Sequence, residues 1–440
     1  MSIQWLSSNE SAVWQSRTAS PVVSGDADLC LSGGHHQQLK GLGGCFNERG
    51  WEALERLDTA TRNQVLDQLF SDEEGCGFSF CRVPIGANDY SIDWYSHSET
   101  DDDFKMEHYS IQRDHHYLIP YIQAAMQRQP GLSLFASPWS PPIWMKTFKA
   151  YNHGRLRSEP AVLEAYALYF QKFVEAYASE GIRVEQIHIQ NEPYSNQKFP
   201  SCLMPAEQMR DFIRDYIGPR FEHEGLACEI WAGTLEKGML HGWAMDESQS
   251  YAQLSHLLLK DPVARKYIRG MGFQWDGKGL IQRTHQAWPD LPLIQSENEC
   301  GDGTNTWAYA LYVFDLMWHY FNNGACAYTY WNMVLVDGGE STWGWKQNSM
   351  ICVSDKNQVI YNPEFYVMKH LAHFVKPGAR RLGLEGSWSA FALAFVNSDE
   401  STIVMVANPY NQVEIMQVEL EAQLHRFELP PRSLNTIRVS

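Results

Sequence analysis

Apolar and polar residues alternate through Ile187-His188-Ile189-Gln190, the period-two pattern of a strand with one buried face, and the run stops at Asn191-Glu192-Pro193. Proline removes a ladder donor, so pairing ends just after Glu192 and offers that carboxylate at a strand end. Comparable short apolar runs predict strands over 39–46, 78–84, 132–137, 186–190, 228–232, 268–275, 293–296 and 327–331. Between them a 3.6-residue apolar period predicts helices over 51–70, 115–129, 160–179, 206–222, 248–259, 281–288 and 307–322. Alternation of this kind calls for parallel strands joined by right-handed crossovers. Eight units over roughly 330 residues fit an α/β fold, a (β/α)8 TIM barrel with long loops.

Beyond Pro377-Gly378 the period changes to two, over 391–397, 402–408, 412–419 and 433–439. The first forty residues are likewise short, turn-broken and β-like, with Ser-Gly-Asp at 24–26 and Ser-Gly-Gly at 32–34. Chain ends commonly lie close together, so residues 1–40 and 377–440 are expected to form one small β-sandwich beside a barrel spanning 41–376. There is no internal repeat and no low-complexity linker.

Charge narrows the partners. A net charge of −17, with no cluster of Lys and Arg to reverse it locally, repels phosphate backbones, so no nucleic-acid partner is expected. No stretch of about 18 apolar residues occurs, and no stable membrane association is expected. The opening Met1-Ser2-Ile3-Gln4-Trp5 lacks a basic segment followed by an apolar one, and the expected location is cytoplasmic. Nine scattered cysteines with no C-x-x-C pair predict buried free thiols in place of disulfides or a zinc site. His35-His36 and His115-His116 lack a third ligand at suitable spacing, and Asp101-Asp102-Asp103 with Glu99 lacks the ordered spacing of a calcium loop. No metal and no cofactor are expected, and no oligomeric state is predicted. The 16 Trp, 21 Tyr and 20 Phe suit the apolar faces of sugar rings, though large cores use aromatics too.

A second acid, Glu297, ends the seventh predicted strand in Leu293-Ile294-Gln295-Ser296-Glu297. Barrel enzymes keep their chemistry at the C-terminal ends of the strands, so acids ending strands four and seven face one mouth. Retaining glycosidases need two carboxyl groups about 5–5.5 Å apart, one a nucleophile and one an acid and then a base. In that scheme Glu192 carries the proton and Glu297 stays ionised. Asn191 donates to a sugar hydroxyl beside the reacting carbon, and Arg82, ending strand two, holds Glu297 by a charge-assisted bond. The plain alternatives are solvated loop glutamates and, for Arg82, a structural ion pair.

The same residues carry a family resemblance. Gly41-Leu42-Gly43-Gly44, Arg82-Val83-Pro84-Ile85-Gly86-Ala87-Asn88-Asp89, Ser137-Pro138-Trp139-Ser140-Pro141-Pro142-Ile143-Trp144-Met145-Lys146-Thr147, Asn191-Glu192-Pro193, Ser296-Glu297, Tyr330-Trp331-Asn332 and His370-Leu371-Ala372-His373-Phe374 together resemble glycoside hydrolase family 30. That resemblance implies Glu192 as acid/base and Glu297 as nucleophile. It also implies that Asp89 and Trp139 bind hydroxyls on the far side of the sugar and that Trp331 forms part of the pocket floor. A strand-end aspartate can accept from paired hydroxyls, and an indole offers a donor and a stacking face. The alternatives are a turn-capping aspartate and two core tryptophans. The chain departs from the glucosylceramide-cleaving relatives after strand six, where Gln274-Trp275-Asp276 stands for His-Trp-Tyr; Trp275 is retained as a candidate substrate contact. The loop Tyr194-Ser195-Asn196-Gln197-Lys198 also differs, and the polar-aromatic segment 338–348 is either a sugar contact or a packed lid. The resulting expectation is a retaining β-glycosidase that cleaves β-linked glucosides or short β-gluco-oligosaccharides. The alternatives are a β-xylosidase or β-fucosidase of the same family, or a non-catalytic carbohydrate-binding barrel.

Overall fold

The computed structural model describes residues 2–238, 250–420 and 423–440. Eight parallel strands close a barrel in chain order: β1 Gly41–Cys45, β2 Phe80–Pro84, β3 Ser133–Ser137, β4 Gln186–His188, β5 Glu229–Leu235, β6 Ile268–Gln274, β7 Leu293–Glu297 and β8 Ala325–Asn332. The glycines of β1 permit this closure. A Cβ on Gly43 would stand 2.0 Å from the Phe80 carbonyl oxygen, so only glycine lets β1 and β2 approach this closely. Inward side chains fall in layers. Phe80, Phe135, Trp231 and Ile294 fill the lower barrel as an apolar plug. Two residues further along β2, β3 and β7 the inward positions turn polar, with Arg82, Ser137 and Ser296, all buried.

Helices run close to the predicted segments, with physical reasons for the differences. The segment 51–70 is two helices, Glu48–Glu55 and Thr59–Phe70, because Asp58 caps the second by accepting from the Thr61 N–H at 3.0 Å. The segment 206–222 is interrupted by a π-helical turn, Ile213–Ile217, just ahead of Pro219, which has no N–H to continue the α ladder. Of the helix expected over 248–259, residues 248 and 249 lie outside the described residues; within them a π turn, Ala252–His256, leads into Leu257–Leu259. Strand β4 is shorter than expected, and β6 ends at Gln274 where the backbone turns into Trp275.

Both chain ends share one ten-stranded sheet, in the order Ala12–Arg17, Ile3–Asn9, Ser433–Val439, Thr402–Asn408, Ala392–Val396, Arg380–Glu385, Leu29–Gln38, Glu414–Leu420, Gln423–Leu429, Ser20–Pro21. The two layers of the sandwich are thus a single sheet that curls over itself. Register irregularities between Arg380–Glu385 and Leu29–Gln38 bend it near the middle. Trp5, next to one edge, meets Phe427, next to the other, edge to face at 5.3 Å across the enclosed core. Strands Arg380–Glu385 and Gln423–Leu429 were not among the predicted ones. His370, on the helix Pro363–Ala372, joins barrel to sheet: its ring nitrogens lie 2.7 Å from Ser8 Oγ and 2.9 Å from Thr436 Oγ1. Burial, with Lys369 nearby, pushes its pKa down to about 3, so it serves as a neutral bridge. His35, His36, His115 and His116 are exposed.

A second buried polar cluster lies behind the barrel wall. Asp114 accepts from Tyr95 and Tyr177 hydroxyls, each at 2.7 Å, and lies 3.0 Å from His97 Nε2. Burial alone would raise the Asp114 pKa; His97 and the two hydroxyls outweigh it and hold the carboxyl below its ordinary value. A depressed carboxylate lends stability above its unfolded pKa, and that stability is lost as pH falls through the folded value. Asp114→Ala strands three buried partners, and we expect it to cost about 3–5 kcal/mol, read as a lowered midpoint in urea unfolding at neutral pH. A loss under about 1 kcal/mol would show that the cluster is solvated and dispensable.

Candidate active site

The C-terminal ends of β2 to β8 build the site. After β4 the chain leaves the ladder but stays bonded to its neighbours: Asn191 N–H donates to the Pro138 carbonyl at 2.8 Å and Glu192 N–H to the Thr234 carbonyl at 3.2 Å. Glu192 then takes φ +47°, and Trp275, directly after β6, takes φ +46°. Left-handed backbone is unfavourable for such residues and persists where surrounding structure imposes it, commonly at functional sites. Gln274 and Glu297 are register partners at the ends of β6 and β7, which sets the amide beside the acid.

Arg82, fully buried on β2, is the hub. Its Nη1 donates to Glu297 Oε2 at 2.8 Å, its Nη2 to Asn191 Oδ1 at 2.7 Å, and Nε and Nη2 both to Ser137 Oγ at 3.0 and 2.7 Å. The guanidinium carbon lies 4.4 Å from the Trp139 ring centre and 5.7 Å from that of Trp331. Glu297 is held at both oxygens, because Trp275 Nε1 donates to Oε1 at 3.0 Å. Gln274 Nε2 reaches Glu192 Oε1 at 3.2 Å, Glu297 Oε2 at 3.3 Å and Asn191 Oδ1 at 3.2 Å. One amide nitrogen therefore spans both acids. The Asn191 oxygen accepts from Arg82, Gln274 and Thr234, which leaves its NH2 to face a ligand.

These groups open into a cavity of about 180 Å3. Asp89, Trp139, Asn191, Glu192, Trp275 and Glu297 line it, so six of the eight predicted site residues share its wall. Arg82 lies beneath the two acids, and Trp331 lies behind Trp139, ring centres 5.3 Å apart, supporting the floor from below. The segment 338–348 reaches the mouth through Trp343, Trp345 and Gln347, and the variant loop after Glu192 does so through Ser195 and Gln197. Sequence reasoning missed Gln274 and Glu236. A lone amide closing the apolar run Met271-Gly272-Phe273 was a signal for the first. For the second, β5 extends three residues past its predicted end, so that Glu236 stands at a strand end like the other acids. Among the described residues no group of three His, Cys, Asp or Glu side chains is arranged to hold a metal ion.

The two acids differ in their surroundings. Burial raises Glu192 well above its ordinary value, and Glu297, Glu236 and Asp89 add to this, against the opposing Gln274 amide. Burial raises Glu297 too, and it stays above its ordinary value although Arg82, the Trp275 indole and Gln274 oppose the rise. The shared proton of the pair therefore belongs on Glu192, with Glu297 the ionised partner. Asp89 is pushed up to about 8 by burial and by Glu297, and its Oδ2 accepts from Gln347 Nε2 at 3.4 Å.

Residues 39–375 match the glycosyl hydrolase family 30 TIM-barrel domain. Among curated proteins, the chain is 30% identical to a putative glucosylceramidase 4 of Caenorhabditis elegans over 431 residues, covering 91% of this chain and 81% of the relative. It is 24% identical to an endo-1,6-beta-D-glucanase of Neurospora crassa, covering 88% and 82%. Among solved structures, SrfJ from Salmonella typhimurium superposes with a TM-score of 0.88 at 27% identity over 99% of both chains.

If the Arg82 guanidinium is what keeps Glu297 ionised, Arg82→Met leaves a buried carboxyl without its cation and its pKa rises. Carbon-13 titration of the glutamate carboxyls should show the Glu297 step moving up by about two pH units; an unmoved step would assign the ionisation to Trp275 and Gln274.

Proposed function

The chain belongs to glycosyl hydrolase family 30, and from that premise we propose that it is a retaining β-glycosidase acting on β-linked glucosides or short β-gluco-oligosaccharides. The observation that carries this reading is the single Gln274 amide nitrogen within bonding distance of both Glu192 and Glu297. Two carboxyls that close suit a double displacement, for which about 5–5.5 Å is required, better than the wider gap in which an inverting enzyme seats its water.

The roles follow from the charges. Glu297, ionised and aimed by Arg82 and Trp275, attacks the anomeric carbon. Glu192 gives its proton to the departing glycosidic oxygen, so the bond to the leaving group breaks as the bond to Glu297 forms. Glu192, now a carboxylate, takes a proton from water, and the water oxygen displaces Glu297 to release the sugar with its configuration retained. The Asn191 NH2 donates to the hydroxyl next to the reacting carbon, a bond that strengthens as positive charge develops there. Asp89 and Trp139 hold the far side of the ring, and the Trp275 ring, beside the nucleophile, meets the substrate face nearest it. A glucosyl unit is supported by the two relatives, a putative glucosylceramidase and an endo-1,6-beta-D-glucanase, whose substrates share that unit and differ in what is attached to it. A short hydroxylated leaving group is supported by the polar rim of Gln197, Lys237 and Asp276.

The decisive assay compares wild type and Glu297→Gln on aryl β-glucoside, β-xyloside and β-fucoside and on β-1,6-glucan. We expect glucoside turnover that drops at least about a thousandfold in the variant, with the β anomer of glucose appearing first in the proton NMR spectrum. An α anomer at early times would sink the retaining mechanism. Faster turnover of the xyloside or fucoside would move the sugar assignment, and sugar binding without hydrolysis of any substrate would favour the binding barrel.

A further inference from the structure

The pocket contains a carboxyl that the double displacement does not use. Glu236, directly after β5, is 3% exposed and lines the same cavity as the two acids. Its Oε1 accepts from the Tyr194 N–H at 3.1 Å and from Ser195 Oγ–H at 2.9 Å, both in the loop that follows Glu192. Its Oε2 is buried and meets no donor among the described residues. A buried carboxylate with one oxygen unsatisfied is costly, and a structural anchor for the loop would need only the first oxygen, which a glutamine would supply equally well.

We propose that Glu236 is a positioning residue for the acid/base: anchored through one oxygen to the loop that follows Glu192, it brings a further negative charge into the cavity that Glu192 lines and so keeps the proton there. The inference rests on the assignment of Glu192 as the acid. Charge around Glu192 comes from several directions. Glu297 and Asp89 face it across the cavity, Arg82 is engaged with Glu297 and Asn191, and Lys237 and Asp276 stand at the rim. The guanidinium beneath the cavity is thus spent on the nucleophile and on Asn191, and Glu236 is a carboxyl that shares the cavity with the acid and is bonded to the loop that follows it. Burial raises Glu236 itself to about 7, so it ionises near neutrality and its field on Glu192 is established as pH rises through that value. The effect is to extend the protonated range of Glu192 upward, where a general acid with one fewer carboxyl neighbour would already have lost its proton.

Glu236→Gln tests this directly, because the amide oxygen keeps both loop bonds and only the charge is removed. The alkaline limb of kcat/KM reports the acid in the free enzyme. On an alkyl β-glucoside, whose leaving group needs the proton, we expect that limb to fall by about one pH unit, with Glu236→Asp staying near the wild type. A profile superimposable on the wild type would overturn the proposal. Should Glu236→Gln not fold, carbon-13 titration of the wild-type carboxyls decides the point: interacting steps for Glu192 and Glu236 support it, and independent single-step curves overturn it. Glu192→Gln on a dinitrophenyl and an alkyl glucoside separates the premise from the inference. If that variant loses neither activity, Glu192 is not the acid. If it loses the alkyl substrate alone while Glu236→Gln leaves the limb in place, only the role of Glu236 fails.

Discussion

A guanidinium with no access to water sits at the centre of the barrel mouth, and the positions of both acids follow from how its hydrogens are satisfied. Desolvating Arg82 and Glu297 costs several kcal/mol per ion, about as much as their attraction returns. The pair is stable here because Arg82 also bonds Ser137 on β3 and Asn191 beyond β4, and because Trp139 and Trp331 cover its faces. A single side chain from β2 thereby fixes groups on or beyond β3, β4 and β7. Lysine, a point charge without the fork, could not hold them together.

That one cation also divides the labour between the carboxyls. Asp89, Glu192, Glu236 and Glu297 all line the cavity, and the buried Arg82 guanidinium beneath it is bonded to Glu297. Equal burial would treat the acids alike; unequal pairing separates a proton carrier from an ion. Gln274 fits this frame because an amide can donate to either acid without adding charge. The left-handed turns at Glu192 and Trp275 lie beyond the ends of β4 and β6, where the chain turns at the cavity wall.

The curled sheet stands apart from the cavity and acts on the barrel from outside. His370 reaches from a barrel helix to two strands of the sheet, one from each end of the chain, so the termini are tied to the wall that supports β1 and β8. Its neutral ring can accept at one nitrogen and donate at the other, which a charged group in that buried position could not do.

Much of this was legible in the residues. The periods of two and 3.6 marked the eight strands and their helices, because burial of one face is a local property of the sequence. Proline after Glu192, and the ends of the apolar runs at Arg82 and Glu297, marked strand ends where side chains must face the mouth. Gln274 and Glu236 were not read because their importance lies in neighbours distant in sequence: an amide becomes a bridge only when β4, β6 and β7 converge on it. The single curled sheet was hidden for the same reason, since alternation shows that a strand has two faces and says nothing of its lateral partners. Sequence by itself determined the barrel, the two principal acids and the arginine that serves one of them. Tertiary structure alone supplied the surroundings that set the two acids apart, because the distances and burial among these charges exist only once the chain closes.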